Sequence, residues 1–112
     1  MMGKYKYFSK EIQRYETRGI AEEVPLEIRL ILWNIIEKRR INGQKMDYLQ
    51  VFQITSSHDT EKQSALTIHY SQEVPEVSDV YTFTGISCKR KMKIYCIDDG
   101  QDYATMLFAS EY

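Results

Sequence analysis

The chain is poor in the residues that usually announce an activity. Of its 112 residues only two are cysteine and two are histidine. Cys88 and Cys96 are too few for a disulfide framework, and their separation is not that of a C-x-x-C pair. Neither His58 nor His69 has a Cys or His neighbour at zinc spacing. Five glycines are present, yet no G-x-G-x-x-G or G-K-[ST] loop that could cradle phosphates. No acid, base and nucleophile stand together in a recognisable motif, so the sequence predicts no enzyme, no cofactor and no metal. Charge of one sign is missing too. Fifteen Lys and Arg against sixteen Asp and Glu leave a net charge of -1, which gives no global attraction to nucleic acid or to an anionic membrane. No apolar run reaches the length of a bilayer. The start, M-M-G-K-Y-K-Y-F, is basic without the apolar stretch of a secretory signal, so a cytoplasmic location is expected.

Hydrophobic residues make up 43% and charged residues 28%, ordinary values for one globular domain. The pattern divides it into an ambiguous arm over residues 1–14 and a single domain over residues 15–112. One helical stretch stands out, P-L-E-I-R-L-I-L-W-N-I-I-E-K-R-R-I, from Pro25 to Ile41. Proline suits the first helical position, and Gly43 can adopt the left-handed conformation beyond the end. Glu27 near the start and Lys38, Arg39 and Arg40 near the end match the helix dipole.

At about 100° per residue, Ile28, Ile31, Leu32, Ile35 and Ile36 share one face, the natural side for a sheet. Leu26, Leu30, Trp33 and Ile41 form a second stripe opposite. A surface helix ordinarily has one apolar stripe, so two imply a second cover. That cover is either the N-terminal arm (Tyr5, Tyr7, Phe8, Ile12) or another protein surface. Leu26, Leu30 and Trp33 are therefore candidate interface residues, for an unknown partner or for a homodimer, with Arg29 and Arg40 flanking them.

Before this helix, Tyr15 to Ile20 reads as a short strand. After it the sequence alternates. Asp47–Ile54 sends Leu49 and Val51 one way and Tyr48, Phe52 and Ile54 the other. A polar loop over Ser56–Lys62 leads to Ala65–Tyr70, and the two strands form a hairpin. Val80–Thr84, Met92–Ile97 and Tyr103–Ala109 follow, the last two joined by an Asp-Gly turn. The predicted fold is α+β, one long helix packed on a mainly antiparallel sheet of about five to six strands.

Three local features could carry chemistry. Asp98, Asp99 and Asp102 surround Gly100 and could offer oxygens to a divalent cation, although such a turn equally serves its own backbone. His69 and Cys96 could converge from separate strands. Lys89, Arg90, Lys91 and Lys93, beside Tyr95 and Tyr81, could contact nucleic-acid phosphates and bases, or they could guard a strand edge.

Five segments together, R-Y-E-T-R-G, P-L-E-I-R-L-I-L-W, M-D-Y-L-Q-V-F, I-H-Y-S-Q-E-V-P and I-D-D-G-Q-D-Y-A-T-M-L-F-A-S-E-Y, cover Arg14 to Tyr112. In them the chain resembles the small single-domain proteins of Gram-positive bacteria and their phages catalogued as domain of unknown function nine-hundred-and-sixty. The arm and the Cys88–Lys93 stretch depart from that pattern. The resemblance implies a compact cytoplasmic α+β domain of prophage origin and carries no catalytic residues with it. The leading expectation is a non-enzymatic interaction or regulatory protein. The alternatives are a nucleic-acid-associated phage accessory protein and a small-ligand-binding domain.

Overall fold

A computed structural model describes residues 5–58 and 64–112. Strand β1 (Gln13–Glu16) leads into a short helix α1 (Arg18–Glu23) and then helix α2 (Leu26–Ile41). Strands β2 (Leu49–His58), β3 (Ser64–Gln72), β4 (Val77–Thr84), β5 (Met92–Asp98) and β6 (Tyr103–Phe108) follow, closed by a 3-10 turn at Ala109–Glu111. The fold is α+β and strand-rich. Six strands form one sheet in the order β1-β6-β5-β2-β3-β4, antiparallel except where β1 runs parallel to β6.

Two local expectations need correction. Only the first part of the predicted Tyr15–Ile20 strand is a strand, and from Arg18 the chain is helical. Thr17 is the reason: its side chain accepts from the Ile20 N–H, capping α1. The predicted loop over Ser56–Lys62 begins later, because Ser56 to His58 continue β2 and pair with β3. The rest of that loop lies outside the described residues.

Alternation along the strands puts one set of side chains under α2. Phe52 and Ile54 of β2, Leu66, Ile68 and Tyr70 of β3, Met92, Ile94 and Cys96 of β5, and Ala104, Met106 and Phe108 of β6 are all buried with Ile28, Leu32, Trp33, Ile35 and Ile36 of α2. The opposite side of the sheet carries Leu49, Val51, Tyr95, Ile97 and Leu107, half-buried by their neighbours and by Tyr112, whose ring stands edge-on to Tyr95 at 5.6 Å. Gly43 ends α2 at a φ of 88°, and the Gln44 N–H closes on Arg39 O at 3.0 Å.

Polar side chains enter this core only where they are satisfied. Tyr70 donates to Gln50 Oε1, and Gln50 Nε2 and Gln44 Nε2 donate to Gln72 Oε1 at 2.9 and 3.2 Å. The Arg39 guanidinium lies 4.6 Å from the Tyr70 ring centroid and reaches out to Asp79 of β4 at 3.0 Å. The cluster fastens the end of α2 to the sheet. Among the described residues no buried side-chain polar atom lacks a partner.

Candidate interaction surface

The second apolar stripe of α2 divides. Leu26 and Leu30 are each 58% exposed and Ile41 is 64% exposed, but Trp33 is only 5% exposed. The sequence groups Trp33 with the two leucines, and the structure separates them. Its indole Nε1–H donates to Glu16 Oε2 at 3.1 Å, and the Arg14 guanidinium stands 5.3 Å from its ring. Glu16 also receives Arg29 Nη1 at 2.6 Å. Both covering residues belong to β1, an element that helical periodicity cannot reveal.

The arm goes elsewhere. Phe8 is buried, and its N–H donates to the Asp98 carboxylate at 2.8 Å. Tyr5 donates its hydroxyl to both oxygens of the same carboxylate, at 2.9 and 3.0 Å, and the Gly100 N–H adds a bond at 2.9 Å. Burial, then the hydrogen bond and charge of Asp98, push the Tyr5 hydroxyl up to about 12. Asp99 caps its own turn through Gln101 N–H and accepts from the Tyr103 hydroxyl at 3.1 Å. The acidic turn therefore serves the chain: its inner carboxylate clamps the arm at the far end of the molecule from Leu26. The sequence signals the turn but not the clamp, since Phe8 and Asp98 are 90 residues apart.

His69 and Cys96 do not converge. Gln53 pairs with His69 and Phe52 with Ile94, so His69 shares the uncovered face while Cys96 lies under α2. Burial also pushes the Cys96 thiol up, away from nucleophilic thiolate.

The basic run is likewise dispersed. Arg90 pairs with Glu23 at 2.6 Å and lies 5.3 Å from the Phe108 ring centroid. Lys93 stands on the uncovered face, 5.8 Å from the Tyr95 ring centroid. Lys89 and Lys91 are exposed on the connector between β4 and β5. Two of the four, Lys89 and Arg90, border a cleft of about 880 Å³ with Val24, Pro25, Leu26 and Cys88. The structure thus brings Leu26 of α2 and part of the basic connector to one cleft, with Leu30 one helical turn further along. Leu26 offers an apolar anchor there, Lys89 a cation and Glu22 an acidic group that is also paired with Arg18.

A strand-rich α+β domain with an exposed apolar helix ridge beside a mixed-charge cleft belongs to the class of small single-sheet proteins. No curated protein matches the chain. The family described as "Staphylococcal protein of unknown function (DUF960)" matches residues 13–111, and the chain belongs to that family. Its fold is similar to a crystal structure of a protein of unknown function from Enterococcus faecalis. That likeness has a TM-score of 0.76 at 21% identity and covers 97% of this chain and 98% of the other.

Proposed function

We propose that the protein is a non-enzymatic interaction module that binds a protein partner through Leu26 and Leu30. The observation behind this reading is that two leucines one helical turn apart are each 58% exposed, while Trp33 beside them is locked to Glu16. Large apolar side chains on a rigid ridge, rimmed by charge, have the composition of a contact hot spot. Regulation would follow from occupancy of this ridge by a partner, in the cytoplasm of a Gram-positive bacterium or of its prophage-bearing relative.

The nucleic-acid reading draws less support, because Arg90 is engaged by Glu23, and Lys93 stands over the Tyr95 ring while Lys89 borders the cleft beside Leu26. The small-ligand reading has a groove of about 660 Å³ between α2 and β4, but Arg39 and Gln44 on its wall are committed to Asp79 and Tyr70.

Affinity purification from the native host with tagged wild type and tagged Leu30→Glu tests the leading reading. A protein recovered with wild type and lost with Leu30→Glu, at unchanged melting temperature, is the expected result. Identical recovery by both forms would overturn it. Binding to mixed DNA that falls steeply with salt would favour the basic connector instead.

A further inference from the structure

The two edges of the sheet are unlike. At one edge, β1 is four residues long and carries Arg14 and Glu16, whose side chains are tied to α2. At the other, β4 is eight residues long, V-S-D-V-Y-T-F-T, without lysine, arginine or proline. Lysine, proline and short length are the usual guards of an exposed edge. β1 has length and charge on its side, and β4 has one aspartate.

The phase of the free backbone groups follows from one hydrogen bond. Gly85 N–H donates to Ser64 O at 2.8 Å, so the Ser64–Gly85 pair is a hydrogen-bonded one. In an antiparallel ladder such pairs alternate, so Phe83, Tyr81, Asp79 and Val77 point their backbone groups at β3. The N–H and C=O groups of Ser78, Val80, Thr82 and Thr84 point outward. Nothing in the described chain pairs with them.

We propose that this outer edge of β4 pairs antiparallel with the same edge of a second copy of the chain, about a two-fold axis at Val80, making one continuous sheet from two. The register is set by complementarity. An axis at Val80 hydrogen-bonds Ser78 to Thr82 of the partner subunit, Val80 to its own mate, and Thr82 to Ser78 of the partner subunit. Beneath α2 it sets Val77 against Phe83 of the partner subunit, an apolar pair. It also sets the Asp79 carboxylate against the Tyr81 hydroxyl of the partner subunit, an acceptor against a donor. An axis at Tyr81 would instead oppose Asp79 to Phe83. Arg39, bonded to both Asp79 and Tyr81, already holds these side chains at the seam.

The groove between α2 and β4 has Ile31, Ile35, Tyr81 and Phe83 on its walls, the last two from β4 itself. Side chains of the incoming strand therefore meet a mixed wall above the seam, with Ile31, Ile35 and Phe83 as its apolar part and Asn34, Lys38 and Arg39 as its polar part. A second copy fits better than an arbitrary strand because both halves of the contact, donors opposite acceptors and Val77 opposite Phe83, are supplied by one sequence. An isologous contact of this kind closes as a dimer and leaves no sticky end. Strand-only contacts lie at the small end of interfaces, so a dissociation constant on the order of micromolar is expected.

Sedimentation of the full chain from micromolar to millimolar concentration tests this, with Val80→Pro as the decisive variant. The Val80 N–H faces outward, so proline there removes a bond to the partner and none to β3. Val80→Lys, which restores the missing guard, serves as a second variant should proline disturb β4. The expected result is a concentration-dependent dimer for wild type and for Leu30→Glu, and a monomer of unchanged melting temperature for either Val80 variant. Val80→Cys in a Cys88→Ser background should cross-link on mild oxidation, because paired residues place their Cα atoms within disulfide reach. Ser78→Cys, which faces Thr82 of the partner subunit, should not. A wild type that stays monomeric at millimolar concentration overturns the proposal. So does a dimer untouched by both Val80 substitutions, or one that cross-links equally at Ser78.

Discussion

Asp98 shows how much a single side chain can organise. Fully buried, it collects two backbone N–H groups and the Tyr5 hydroxyl. Truncation strands those donors, so Asp98→Ala should cost about 3 kcal/mol in denaturant unfolding. Tyr5→Phe removes only a half-exposed contact and should cost about 1 kcal/mol. Alkaline pH separates the two roles of the hydroxyl. The folded value of about 12 lies above the value of about 10 for an unfolded tyrosine, so the contribution is complete below pH ~10 and is lost as pH rises through the folded value. Wild type should therefore lose melting temperature more steeply than Tyr5→Phe between those limits, and equal slopes would remove the clamp from the account. Glu16 has a comparable place beside the sole tryptophan. Glu16→Ala leaves the Trp33 N–H and Arg29 without their acceptor, and intrinsic fluorescence should shift to the red with a loss of about 2 kcal/mol.

At the scale of elements, periodicity located α2, and alternation located β2, β3, β5, β6 and all but the first three residues of β4, because each has a regular apolar face of its own to report. It failed where an element is short or its partner distant. The Thr17 cap and the helix-forming Ala21-Glu22-Glu23 run were visible signals for α1, overshadowed by the strand-like Tyr15. The burial of Trp33 was not legible, since the residues that cover it come from β1, whose own place beside β6 is a pairing across most of the chain. The arm's route to Asp98 was hidden for the same reason. The two faces of α2 give a direct comparison: Leu32→Ala, in the core, should cost about 3 kcal/mol, while Leu30→Ala on the ridge should stay within about 0.5 kcal/mol. Comparable losses by calorimetry would mean that the ridge is packed within the chain and not free for a partner.

For the whole molecule, the resemblance read in five sequence segments agrees with the family match over residues 13–111 and with the fold shared at 21% identity. No helix among the described residues is long and apolar enough to cross a membrane. The sheet order also dictates a timetable. β2, β3 and β4 are neighbours in both sequence and space and can pair as they are made, but β1 precedes them and, among the described strands, pairs with β6 alone. During synthesis the strand that carries the lid of the tryptophan has no sheet to join until β6 has emerged, so a chain stalled before Tyr103 holds β1 unpaired and open to chaperones.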